Sequence, residues 1–163
     1  MPRTITSVWE NIGRAVYWAT WPGIWLVIQL SPPRTRLALI HKGKVLLVKD
    51  WLGSGEWTLP GGGLKHGESA EVGAARELLE ETSILIDTKS LKSLGSFRVK
   101  TNGIPVRIVG FWKDIKQAPT VTARKGELIG FMWADKRDLK MLPISTTARV
   151  VLASLGEQPG VNL

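Results

Sequence analysis

The chain has 163 residues, room for one domain with a buried core and a small appendage. Its 44% apolar and 22% charged residues, without low-complexity tract or internal repeat, exclude disorder and fibrous repeats, and the lack of cysteine excludes disulfides, thiolate zinc sites and a cysteine nucleophile. A formal charge of +8 favours polyanionic partners, although lysine serving solubility accounts for the background charge equally well.

Residues 1–33 differ in character from the rest. The run AVYWATWPGIWLVIQL, Ala15 to Leu30, carries no charge, and Trp9, Trp18, Trp21 and Trp25 all lie in this first stretch. Such a run approaches the length of a spanning helix, and tryptophan and tyrosine collect at bilayer interfaces. Pro22-Gly23 in its middle would kink a membrane helix or divide two interfacial elements. The expectation is therefore membrane contact through residues 15–30, spanning or lying in the interface, with a docked helix or partner-binding arm as the other reading. SPPRTR follows where a signal peptide would need a small-residue cleavage site. Arg34, Arg36, Lys42 and Lys44 outnumber Arg3 and Arg14, which places the following domain in the cytoplasm, at the cytoplasmic face of the membrane if the segment spans.

Residues 34–163 read as a compact mixed domain. TRLALI and VLLVKD form a hairpin turning at Lys42-Gly43, and LGSFRVKT and IPVRIVGFWKDI form another across Asn102-Gly103. ELIGFMWA is a further strand, and a last helix starts at Ser145 as N-cap, runs through Arg149, Val151, Leu152 and Leu155, and closes at Gly156. Strands surrounding two helices make an α/β sandwich on a sheet of mixed strand directions.

Chemistry concentrates in Leu59 to Ile84, LPGGGLKHGESAEVGAARELLEETSI. Glu68, Glu71, Glu77, Glu80 and Glu81 outweigh Lys65 and Arg76 here, an acidic island in a basic chain that suits joint binding of cations and polyanions. Three consecutive glycines let backbone approach a metal or phosphate closely, though a plain strand-to-helix turn would look the same. The helix that follows has Ser69 as N-cap and runs to about Thr82. At about 100° per residue, Glu77, Glu80 and Glu81 share one face. Ala70, Gly73 and Ala74 continue that face, small enough for the loop to pack on them, and Val72, Ala75 and Leu79 form an apolar face for the sheet. Arg76 pairs with Glu80 but does not neutralise all the carboxylates, so a hard divalent cation, Mg²⁺ or Mn²⁺, is the fitting counter-charge; the bland reading is a solvated acidic helix face.

Gly62, Glu68, Arg76, Glu77, Leu78, Glu80, Glu81 and Ile84 stand at the spacing of the Nudix box, which the segment resembles. Ser83 alone departs, replacing a glycine suited to a left-handed helix end. The resemblance implies a Nudix-like α/β/α sandwich and a pyrophosphohydrolase that cleaves a nucleoside diphosphate linked to another moiety by metal-assisted attack of water on phosphorus. It also implies Gly61 (through its carbonyl), Glu77, Glu80 and Glu81 as ligands of Mg²⁺ or Mn²⁺, Arg76 as the group orienting the glutamates, and Gly62 and Glu68 as the support behind them. The general base is left between a box glutamate, Glu77 or Glu80, and Glu127, which opens a late strand and is equally well an ordinary edge residue.

Other residues are ambiguous. His66 reads as an exposed loop histidine; Trp57, Phe97, Phe111 and Trp133 would stack a base or belong to the core. Arg98, Lys100 and Arg107 could grip phosphates, but nothing in the sequence singles them out. The expected partner is a nucleotide-type small-molecule diphosphate, with an RNA 5′ end or a lipid-linked diphosphate as narrower variants. A Nudix-fold binding or regulatory module without catalysis is the reading from another class, against which every charged box position is intact.

Overall fold

The computed structural model describes residues 32–51, 55–101, 103–122 and 128–159. The apolar run at 15–30 and Glu127 lie outside them. Among the described residues no helix is long and apolar enough to cross a membrane.

Five strands form one sheet in the order β3-β4-β1-β2-β5: β1 Arg34–His41, β2 Lys44–Asp50, β3 Lys92–Thr101, β4 Ile104–Asp114 and β5 Leu128–Ala134. β1 and β4 run parallel through the register Arg34↔Ile108 to Ile40↔Asp114, and the other pairs are antiparallel. Both expected hairpins are present. Lys42 and Gly43 both take positive φ, 48° and 71°, the turn whose twist matches its strands.

Side chains alternate across the sheet and build two cores. Leu37, Leu39, Leu46 and Phe111 pack under α1, Ala70–Thr82, through Ala74 and Leu78. Ala38, Ile40, Val45, Leu47 and Ile108 pack under α3, Thr146–Gly156, through Ala148, Val151 and Leu155. The result is the expected α/β/α sandwich with a mixed sheet.

The helices depart from expectation in three respects. A short α2, Lys136–Met141, was not anticipated; its signal is the capping box, in which Asp135 Oδ1 accepts from the amides of Arg137 and Asp138 while Asp138 Oδ2 accepts from the Asp135 amide. α3 includes Gly156 instead of closing on it, and Glu157 caps it in right-handed conformation. The face of α1 turned to the sheet is Ala74, Leu78 and Thr82, whereas Val72 and Leu79 are 48% and 42% exposed. Glu81 and Glu77 precede Leu78 around the helix by about 60° and 100°, so the carboxylates flank the core stripe. The arc beside the core stripe meets the glycine loop, where the Gly61 amide donates to Glu81.

Candidate functional site in the divided sheet

β1 and β2 pair only at Ile40↔Val45 and His41↔Lys44, then diverge. The segment 57–63 fills the wedge. Val48 and Thr58 exchange backbone hydrogen bonds of 2.9 Å on the β2 side. On the β1 side the Leu37 and Thr35 amides donate to the carbonyls of Pro60 and Gly62 at 2.9 and 2.8 Å. Two of the glycines are thereby threaded into the sheet with no room for a side chain: a Cβ on Gly61, where φ is 139°, would collide with the Thr35 carbonyl, and one on Gly62 would stand 2.5 Å from Glu77 Cδ.

α1 lays its carboxylates on this wedge. Ser69 caps it, its hydroxyl accepting from the Val72 amide at 3.3 Å. Gly73 sits where a Cβ would strike Leu64, so the small-residue face does receive the loop. At the centre Arg76 bridges three glutamates. It binds Glu68 bidentately, Nε to Oε1 at 2.7 Å and NH2 to Oε2 at 2.9 Å, and its NH1 donates to Glu77 Oε1 at 2.8 Å and Glu80 Oε2 at 3.0 Å. NH2 also reaches the Gly63 carbonyl at 3.0 Å. The paired arginine and the Lys65 amide hold the Glu68 carboxyl down at about 2, and the glutamates raise the Arg76 guanidinium above its usual value.

Glu81 differs. Its Oε2 accepts from the Gly61 amide at 3.1 Å, yet burial pushes its carboxyl up to about 8, against the opposing effects of that hydrogen bond and of Arg36, with Asp50 and Glu77 adding like charge. The site is short of positive charge where α1 meets the wedge. Sequence reading missed a buried cation here. Arg36, on β1 and 7% exposed, donates to the Gly61 carbonyl through NH1 and to Thr147 Oγ1 through Nε at 3.3 Å, and desolvation holds its guanidinium below the ordinary arginine value. An arginine directly before the apolar run LALI was its signal.

Gly61, Gly62, Glu68, Arg76, Glu77, Glu80 and Glu81 are thus brought together. The Gly61 carbonyl is already engaged by Arg36, and among the described residues no three acidic or histidine side chains stand ready as a metal cage, because Glu77 and Glu80 are turned onto Arg76. The donor set still fits a hard divalent cation: only oxygens are offered, and burial holds the Glu81 carboxyl above its usual value even with Arg36 nearby, which an added positive charge would reverse. Phe111 is buried core at 1% exposure and cannot stack a base; Trp133 stands edge-on to His41 at 5.9 Å, Trp57 lies under Lys49, and His66 is exposed. Ser83 takes the left-handed conformation, φ 60°, despite its side chain, and its amide donates to the Leu79 carbonyl as the cap glycine would.

The NUDIX domain model matches residues 31–155, and this chain belongs to that family. The oxidized purine nucleoside triphosphate hydrolase of Mus musculus is 36% identical over 80 residues, 49% of this chain and 45% of that protein, so the chain matches under half of that relative's length. The crystal structure of a MutT NUDIX hydrolase from Burkholderia pseudomallei superposes with a TM-score of 0.68 at 21% identity, covering 76% of this chain and 97% of that one. The NUDIX domain of Shewanella oneidensis NrtR, solved with ADP ribose, superposes with a TM-score of 0.69 at 18% identity over 78% and 87% of the two chains. These solved structures establish the shared fold.

Proposed function

We propose that residues 34–163 form a Mg²⁺- or Mn²⁺-dependent pyrophosphohydrolase acting on a nucleoside diphosphate linked to a second moiety, with residues 1–33 as a separate segment. One observation carries the reading: four glutamates converge on a glycine wedge, Arg76 serves three of them, and Arg36 does not offset the burial of the fourth, Glu81. A bound divalent cation would neutralise the diphosphate and lower the pKa of the attacking water. Glu77, Glu80 and Glu81 would hold it, with the Gly61 carbonyl contributing once Arg36 shares or yields that oxygen. Arg76 fixes the orientation of Glu77 and Glu80, and Glu68 fixes Arg76. Glu77, Glu80 or Glu127 accepts the proton of the attacking water.

The relative that hydrolyses oxidized purine nucleoside triphosphates and the neighbour solved with ADP ribose both support a nucleotide-type substrate. The ADP ribose complex is compatible with a binding module as well. The test is incubation of the full chain with Mg²⁺ or Mn²⁺ and a panel of nucleoside triphosphates, dinucleotides, sugar nucleotides and triphosphorylated RNA, with and without EDTA. Turnover that stops on chelation is expected; binding without turnover of any of them would leave the module reading standing. Cell fractionation and detergent phase partitioning of the full chain against residues 34–163 test the cytoplasmic and membrane-contact parts, which equal behaviour of the two would remove.

A further inference from the structure

On the α1 side of the sheet, beyond the wedge, β3 and β4 place two arginines directly opposite each other. Arg98 pairs with Arg107 in the antiparallel register, so both side chains project from the same face. Arg107 shares the parity of Val109 and Phe111 on β4, and Phe111 packs in the core under α1, which makes that face the one carrying the glutamates. Lys100 continues the row opposite Pro105. All three cations are exposed, and none forms an ion pair among the described residues. Like charges directly opposed weaken a hairpin, so the pair is a cost to the fold that an anion would relieve.

One buried residue links the pair to the glutamates. Thr35 on β1, in register with Val109 on this face, is fully buried and its Oγ1 has no hydrogen-bond partner among the described residues. Its amide is bonded to Gly62, against which Glu77 lies. The row Glu77, Gly62, Thr35, Val109, Arg107 therefore leads from the carboxylates across the sheet to the arginine pair. With strands about 4.8 Å apart and residues about 3.3 Å apart along them, the pair stands on the order of 10–15 Å from Glu77.

We infer that Arg98 and Arg107, flanked by Lys100, form an anion subsite that takes a phosphate remote from the scissile diphosphate. This rests on the α1 face being the reaction site and narrows its substrate to nucleotides bearing a further phosphomonoester on the second moiety or the ribose. Two guanidiniums on one face can each give a charge-assisted pair of hydrogen bonds to such a group.

The experiment is calorimetric binding of 2′,5′-ADP, 3′,5′-ADP and 5′-AMP to the full chain, which needs no turnover and so remains readable if hydrolysis fails. One of the two bisphosphates is expected to bind at least about tenfold more tightly than 5′-AMP, a preference that the Arg98→Gln/Arg107→Gln double variant loses. A Lys136→Gln/Arg137→Gln variant, which removes the same charge from α2, should keep the preference. The arginine variant should melt no lower than the parent, since an opposed like-charge pair is removed. Equal binding of all three nucleotides, a preference that survives the arginine variant, or one lost equally in the α2 control would overturn the subsite.

Discussion

α1 and α3 cover opposite faces of one sheet and begin alike, each on a serine whose hydroxyl accepts from a backbone amide at 3.3 Å. They diverge in what they bury. α3 commits its inward stripe to Ala148, Val151 and Leu155, with Thr147 beside them accepting from Arg36. α1 buries a stripe of Ala74, Leu78 and Thr82, and devotes the adjoining arc to carboxylates on the glycine wedge. A packing helix and a chemical helix thus share a fold and a start signal, and only the second carries charge that the protein alone does not balance.

That contrast separates stability from activity. Glu80→Gln should lower metal-dependent turnover at least about a hundredfold and leave the melting curve nearly unchanged, because Glu80 is 37% exposed. Leu155→Ala should do the reverse, costing about 3 kcal/mol in denaturant unfolding while turnover per folded molecule holds. Gly61→Ala would blur the division, as the wedge is both sheet and site: with φ at 139° and the Thr35 carbonyl in the way, about 3 kcal/mol and most activity should go together.

The pH dependence of α1 is the next largest effect. Glu81 ionises in the unfolded chain near the ordinary 4.5 but at about 8 in the fold. Its folded value is raised, so the unfolded chain binds fewer protons between these values, and metal-free protein should lose stability as pH rises from about 5 to 8. Melts in EDTA at several pH values test this, with Glu81→Gln flattening the curve; a slope that persists in the variant would point to another group.

The smallest effects come from two mirrored helix ends. Ser83 holds a left-handed cap with a side chain, whereas Gly156 spends a glycine within the helix in open space. Ser83→Gly and Gly156→Ala should each stabilise by about 0.5–1 kcal/mol, read in the same denaturant titration.

The legibility of the two helices in the sequence differs for the same reason. Val151 and Leu155 recur at helical spacing with no competing demand, so periodicity located the core face of α3, and alternation with turn residues located the hairpins. Val72, Ala75 and Leu79 have the better apolar periodicity on α1, and Val72 and Leu79 are nonetheless turned away, because periodicity does not register that the loop also claims the helix. The box glutamates were legible from spacing; Arg36 was not, since its partners lie 25 and 111 residues away. The Arg98 and Arg107 pair became visible only once the strand register set them opposite each other.

Direct binding of Mn²⁺ to the full chain, followed by electron paramagnetic resonance at pH 6, 7 and 8, bears most closely on the acidic face of α1. Saturable binding that tightens with pH and is lost in folded Glu80→Gln and Glu81→Gln is expected. Equal Mn²⁺ binding by the variants and the parent chain, or none by any of them, would contradict it.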